Sequence, residues 1–150
     1  MIVVFMIVGA ASPTWAQDYT RSPLIGADFS GQDLTDADFT QAKLPKSNFS
    51  RANLQGVSFL GASLEDANLE GADLTYTTLS TARLTRANLK NAILEEAVVF
   101  NTRFDQSNIE GADFTNAAMR EDTQKLLCSV ATGMNPVTGR KTRDTLHCDD

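Results

Sequence analysis

Large apolar residues recur at every fifth position of this chain. The residue two places before each of them is small except at Gln32 and Val57, and it is alanine in thirteen of the twenty repeats. A spacing of five matches neither the helical period of 3.6 nor the strand period of 2, so ordinary amphipathic elements cannot bury these residues together. The large apolar positions are Leu24, Phe29, Leu34, Phe39, Leu44, Phe49, Leu54, Phe59, Leu64, Leu69, Leu74, Leu79, Leu84, Leu89, Leu94, Val99, Phe104, Ile109, Phe114 and Met119.

This period predicts a chain that turns after each repeat. If every pentapeptide forms one side of a square coil, the large and the small apolar residue point inward and the other three residues face water. Four repeats per coil give about five coils for residues 22–121, stacked at a strand spacing of ~4.8 Å. We therefore predict an all-β solenoid with one continuous core.

The repeated triplets resemble the pentapeptide-repeat family, whose pattern is A-(D/N)-L-x-x. Examples are Ala-Asp-Leu at 72–74, Ala-Asn-Leu at 52–54 and Ala-Asp-Phe at 27–29. The resemblance implies a right-handed quadrilateral β-helix. Gln32 departs from the pattern at a small inward position, and a buried amide without partners costs about 1–3 kcal/mol. We expect a local distortion in that first coil.

The first sixteen residues, 1–16, carry no charge and open with an eight-residue apolar run that is too short to span a bilayer. They are typical of a secretory signal peptide cleaved after Ala16. A basic segment at their start is missing, which leaves open a misplaced start codon or a truncated chain, and a disordered or packed segment is the alternative. We interpret residues 17–21 as a linker, and we expect no stable membrane insertion.

Residues 122–150 lie beyond the repeats and are predicted to form a short α-helical cap. A solenoid needs such a cap because its last coil exposes apolar side chains and unpaired strand edges. A first helix over about residues 120–129 would be anchored by Leu126 and Leu127. Thr142 would cap a second short helix containing Leu146.

The two cysteines, Cys128 and Cys148, both fall in this cap. An even pair in an exported chain favours a disulfide, with two free thiols or a metal site that includes His147 as alternatives. Three candidate ligands without paired spacing predict no metal. The ending Thr-Arg-Asp-Thr-Leu-His-Cys is similar to that of exported pentapeptide-repeat proteins of cyanobacterial and chloroplast thylakoid lumens. This similarity implies a thylakoid-lumen or periplasmic location.

The repeat register sorts the outer surface into four sides, each defined by its inward apolar positions. Side one has inward positions 24, 44, 64, 84 and 104, and sides two, three and four begin at 29, 34 and 39 with the same spacing of twenty. The outward residues give formal charges of +2, −1, −6 and −1 for sides one to four, while the termini cancel, so the sum is the net charge of −6. The acidity is therefore concentrated on side three.

An acidic wall of this kind can attract and orient a partner protein with a basic surface. The alternative is that Asp and Asn simply suit the outward position and keep the rod soluble. Exposed apolar residues on side four suggest a second contact patch. The candidate partner-binding residues are Asp33, Asp36, Asp73, Glu95, Glu96 and Asp113 on side three, with Leu60, Val98 and Phe100 on side four.

Catalytic signals are missing from the sequence. The single histidine lies in the cap, and there is no glycine-rich phosphate loop, nucleophile with a base, or paired metal motif. We predict no enzyme, no cofactor and no nucleic-acid binding. The predicted function is that of an exported structural or protein-interaction scaffold, a monomer or a weak end-to-end or side-to-side oligomer. The alternative, from acidic members of the family, is a DNA-mimicking inhibitor or protector of DNA gyrase.

Overall fold

The chain winds with a period of twenty residues in the computed structural model, which describes residues 16–149. Parallel β-bridges join residues twenty positions apart, from Asp18 with Asp38 to Val98 with Ala118. Four pentapeptides therefore complete one turn, and each of the four sides stacks on itself. The number of coils, about five, stays a prediction from the repeat count.

The core follows the five-residue period. Nineteen of the twenty large apolar residues are buried, and Met119 packs against them partly buried. In the first coils this core is aromatic, with Phe29 stacked on Phe49 at 5.0 Å and Phe39 on Phe59 at 5.2 Å between ring centroids. Such offset aromatic pairs stabilise the column beyond the area they bury.

Each corner is a tight turn. The carbonyl of Leu24 accepts a hydrogen bond from the N–H of Ala27 at 3.1 Å, and Gly26 between them has φ of 67°. The outward Asp or Asn before the apolar residue also accepts a backbone bond, as when Oδ1 of Asp28 receives the N–H of Ser30 at 2.9 Å. These side chains mimic a backbone turn, which explains their frequency.

The sequence predicted that residues 17–21 are a linker. In the structure they form one further repeat. Asp18 makes a bridge with Asp38, and the ring of Tyr19 stacks on Phe39 with centroids 4.6 Å apart. Gln32 is only half-buried, and the next residue, Asp33, keeps its bridge to Asn53. The expected distortion at Gln32 is therefore wrong, because its amide reaches solvent. The predicted signal peptide lies, apart from Ala16, outside the described residues.

Two short helices follow the last coil: α1, Glu121–Cys128, and α2, Thr142–Thr145. The predicted disulfide is confirmed, since Cys128 and Cys148 are bonded with Cα atoms 5.6 Å apart. Leu127 is buried as expected, whereas Leu126 is 47% exposed and is not an anchor. Within residues 16–149, no helix has the length and apolar character to cross a membrane.

The cap supplies hydrogen-bond partners to the end of the solenoid. The backbone N–H of Phe114 donates to Oγ1 of Thr145 at 3.0 Å, and that of Gly111 donates to the carbonyl of Thr132 at 2.9 Å. Leu146, the C-cap of α2, is buried in the same core. Thr142 is not the N-cap that the sequence predicted, because it lies inside α2 and Lys141 precedes it.

Candidate interaction surfaces

Side three brings together its six predicted carboxylates in stacked columns, but their exposure differs. Asp36 and Glu96 at the corner, and Asp33 at the bridge position, are exposed, while Asp73 and Glu95 are half-buried. Asp113 is fully buried. The expectation that Asp113 can meet a partner directly is corrected, because none of its side chain reaches solvent.

Three of these carboxylates also serve their own turns. Asp33, Asp73 and Asp113 each accept two hydrogen bonds from the threonine two residues later, one from its backbone N–H and one from its hydroxyl. The bonds from Thr35 hold the pKa of Asp33 below its usual value. A carboxylate of this kind stays ionised, which suits it to a fixed negative charge and not to proton transfer.

Arg140 from the cap lies over the C-terminal end of side three. Its Nη1 donates to Oε2 of Glu95 at 3.0 Å and to Oδ2 of Asp113 at 3.3 Å. Burial acts to raise the pKa of Asp113, but the hydrogen bonds from Thr115 and the positive charge of Arg140 outweigh it, and the pKa is lowered. The cap therefore neutralises part of this end, and repeat periodicity gives no signal of it.

Four carboxylates of side three have no cationic partner among residues 16–149: Asp33, Asp36, Asp73 and Glu96. Glu96 accepts only a neutral hydrogen bond, from Nδ2 of Asn116 at 3.2 Å. The negative field of side three therefore comes mainly from these four groups. Asp33 and Asp36 lie in one coil and Asp73 and Glu96 in two later coils, separated from them by a coil whose outward residues on side three are neutral.

Side four carries the exposed apolar residues that the sequence predicted. Leu60 and Phe100 are each 42% exposed, and Val98 beside them is half-buried. Tyr76, which the sequence analysis passed over, is 66% exposed at the corner between sides three and four. Its place among the corner positions, twenty residues before Glu96, is the signal that could have found it.

Side one is charged, and half of its eight charged residues form ion pairs among the described residues. Arg83 lies 2.5 Å from Glu65, and Arg86 lies 2.8 Å from Asp66. Lys43 and Arg103, at the bridge positions of side one, make no ion pair with any described residue. The surface therefore changes from acidic on side three, through uncharged on most of side four, to a net charge of +2 on side one.

These features define a class of protein, a solenoid of five-residue repeats with a four-sided coil and a disulfide-linked helical cap. The model of the family "Pentapeptide repeats" matches this chain in overlapping segments, residues 24–61, 33–71, 62–99 and 82–120. The chain belongs to the pentapeptide repeat family, as its triplets suggested. The family generally consists of non-enzymatic structural repeat proteins.

Solved structures of similar proteins support the same fold. A pentapeptide repeat protein from the Arabidopsis thaliana thylakoid lumen is 48% identical, with a TM-score of 0.84 over 85% of this chain and 89% of the other. A pentapeptide repeat protein from Nostoc PCC 7120 is 30% identical, with a TM-score of 0.60 over 70% of this chain and 86% of the other. These neighbours imply a right-handed quadrilateral β-helix.

A curated relative, the chloroplastic thylakoid lumenal 15 kDa protein 1 of Arabidopsis thaliana, is 55% identical over 49 residues. The match covers 33% of this chain and 22% of that relative. This chain therefore matches a minor part of the length of that lumenal protein.

Proposed function

We propose that this protein is an exported, non-enzymatic interaction scaffold that binds a partner with a basic surface through side three. The observation that carries the proposal is the set of four unpaired carboxylates on one wall of a rigid coil. A preformed field of one sign steers and orients a partner of the opposite sign. Glu95 and Asp113 contribute less, because Arg140 is bound to both.

The alternative, that acidic residues on side three merely suit the turns and keep the rod soluble, explains some of these carboxylates better than others. Asp33 and Asp73 complete their turns, so their presence follows from the fold. Asp36 and Glu96 occupy left-handed corner positions, with φ of 59° and 58°, where asparagine or glycine meets the backbone requirement better. The turn does not require a carboxylate at these two corners, since Arg51 and Tyr76 adopt the same left-handed backbone at equivalent positions, and recognition of a basic partner is a use for the charge there.

The lumenal relatives support the thylakoid lumen as the working compartment. The periplasm is the other compartment that the predicted export signal allows. A disulfide between Cys128 and Cys148 agrees with either, because both compartments permit oxidised cysteines.

The test is affinity capture from an extract of that compartment with a variant that loses the four charges but keeps the turns. Asparagine retains the Oδ1 acceptor of aspartate, so the changes leave the turn hydrogen bonds in place. The variant is Asp33→Asn, Asp36→Asn, Asp73→Asn and Glu96→Gln. Its net charge is −6 + 4 = −2.

A matched control removes the same number of carboxylates from the other three sides. It combines Asp28→Asn, Asp38→Asn, Glu70→Gln and Asp105→Asn, and its net charge is also −2. We expect a captured partner to be lost from the side-three variant and retained by the control. Equal capture by both variants would exclude side three as the docking surface. Inhibition or protection of gyrase supercoiling at micromolar protein would favour the DNA-mimic alternative instead.

A further inference from the structure

The bridged part of the fold begins immediately after Gln17. Ala16 and Gln17 are exposed and belong to no helix or bridge, whereas Asp18 already pairs with Asp38. The backbone carbonyl of Gln17 ties this residue to the first coil, because it accepts the N–H of Asp38 at 2.9 Å. A protease can therefore cut the Ala16–Gln17 bond, the predicted signal-peptide cleavage site, without removing any part of the coil.

The side chain of Gln17 has a fixed hydrogen-bond partner. The hydroxyl of Tyr19 donates a hydrogen bond to Oε1 of Gln17 at 2.7 Å. The Tyr19 ring that carries this hydroxyl is held in place, because it stacks on Phe39 and meets the edge of Phe29. Burial raises the pKa of the Tyr19 hydroxyl, so the group keeps its proton near neutral pH. The fold thus places a hydrogen-bond donor on the side-chain carbonyl of Gln17.

We propose that Gln17 is a site of covalent modification, at which the mature chain closes its own N-terminus as pyroglutamate with the help of Tyr19. Cleavage after Ala16 gives Gln17 a free α-amine, and the nitrogen of this amine attacks Cδ of the Gln17 side chain. A carbon–nitrogen bond forms and closes a γ-lactam, while the bond from Cδ to Nε2 breaks. Ammonia leaves with one proton from the attacking nitrogen, so the step needs neither an oxidant nor a co-reactant.

Tyr19 assists this step through its hydrogen bond to Gln17. Attack on Cδ moves negative charge onto Oε1, and a hydrogen-bond donor at that oxygen stabilises the developing charge. The hydroxyl of Tyr19 already lies 2.7 Å from Oε1 of Gln17, and the stacked ring keeps it there. An unfolded chain has no such fixed donor. Cyclisation should therefore be faster in the folded protein than in the unfolded one.

The lactam would protect the first coil from trimming. An aminopeptidase needs a free α-amine, and removal of Gln17 and Asp18 would take away the acceptor for the N–H of Asp38 and the bridge beside it. Further trimming would remove Tyr19, whose ring stacks on the aromatic core. The inference rests on the export step of the proposed function, because cleavage of the signal peptide produces the amine. It does not depend on partner binding by side three.

Mass spectrometry of the undigested protein, purified from a host that exports the full-length chain, tests the modification. We expect the mass of a chain that begins at Gln17, less one ammonia. A chain that begins at unmodified Gln17 would overturn the inference while supporting the predicted export cleavage. A different first residue would overturn both the inference and the cleavage site. Capture of a partner through side three is measured separately, so its outcome stays distinguishable from all of these.

A rate measurement tests the role of Tyr19. The mature chain is released from a fusion partner with Gln17 as its first residue and incubated at about pH 8, where part of the α-amine is neutral, and the loss of ammonia is followed by mass. Tyr19→Phe should cyclise several times more slowly, whereas Tyr76→Phe, at an exposed tyrosine in a later coil, should match the unchanged chain. In urea all three should cyclise at one rate. Equal rates of the folded unchanged chain and Tyr19→Phe would overturn the role of Tyr19.

Discussion

The guanidinium of Arg140 lies 3.3 Å from the carboxylate of Asp113, although the two residues are twenty-seven positions apart and belong to different parts of the fold. Asp113 is fully buried at the end of the solenoid, and Arg140 extends from the cap. This contact fastens the cap to side three. Arg140 also binds Glu95, so two of the six acidic residues of that side have a cationic partner.

Replacing Arg140 by methionine should weaken the cap. The Arg140 side chain is 43% exposed, so we expect a measurable loss in the free energy of unfolding that is smaller than the loss from breaking a wholly buried pair. Urea denaturation measures the change. Arg51→Met, at an exposed arginine that makes no ion pair with the described residues, should have almost no effect. A double-mutant cycle with Asp113→Asn isolates the pair, and zero coupling energy would contradict this role.

Stability should fall in acid, and Asp113 should be one reason. Its pKa is lowered in the folded protein, so its contribution is complete above the unfolded value of about 3.9 and is lost as the pH falls through the lower folded value. Melting temperatures between pH 6 and pH 2 measure this effect. The melting temperature of Asp113→Asn should fall less steeply with decreasing pH than that of the unchanged protein. An identical fall would contradict the role of Asp113 in acid sensitivity.

Substitutions at two adjacent residues, Leu74 and Asp73, test whether the large apolar residues point into the core. Leu74 is fully buried, so Leu74→Asp should unfold the rod by burying an unpaired charge. Asp73→Asn, one residue earlier, keeps the acceptor for the N–H of Thr75 and should change stability by less than about 0.5 kcal/mol. Circular dichroism melts distinguish the two. A cooperative native-like melt of Leu74→Asp would refute the inward assignment.

Alanine substitutions at two glycines of the cap distinguish the stability cost of backbone strain from the cost of a steric clash. Gly133 and Gly139 both have left-handed backbone, with φ of 82° and 70°. A Cβ at Gly133 would lie 2.9 Å from the backbone nitrogen of Gly111, whereas a Cβ at Gly139 would have no neighbour within 4 Å. Gly139→Ala should cost about 1 kcal/mol of stability from strain alone, and Gly133→Ala clearly more. Equal losses in urea denaturation would mean that the cap does not pack on Gly111 as described.

Tyr19 should act as the lid of the N-terminal end of the core. It stacks on Phe39 and meets the edge of Phe29 at 5.5 Å between centroids, so Tyr19→Ala should lower stability by about 2–3 kcal/mol. Tyr19→Phe is the control, because among residues 16–149 the hydroxyl donates a hydrogen bond only to Gln17, which is exposed. If the alanine variant were as stable as the phenylalanine variant in thermal melts, residues 17–21 would be a linker after all.

Periodicity predicted the parts of the fold that repeat. Every repeat has the same inward and outward positions, so the apolar column and the four sides can be predicted from any of them. A wrong prediction at one position, such as Gln32, therefore leaves the predictions for the others unaffected. The first repeat was passed over because Gln17 and Tyr19 replace the usual alanine and leucine. Aromatic stacking on Phe39 compensates for that departure, and it becomes visible only in three dimensions.

The cap and the surface depended on contacts that have no period. The position of Arg140 over Glu95 and Asp113 results from how the cap folds back, and no spacing in the sequence indicates it. Leu126 and Leu127 are equally apolar, yet only Leu127 is buried. The repeat register located the acidic wall, whereas the division of its carboxylates into free and neutralised groups required the structure.

Quantitative affinity capture is the most direct test of the claim that the free carboxylates of side three recognise a partner. The unchanged protein, the side-three variant and the equally charged control are compared against one lumenal or periplasmic extract by mass spectrometry. We expect the unchanged protein and the control to capture a protein with a basic surface, and the side-three variant to lose it. A partner retained equally by all three would contradict it.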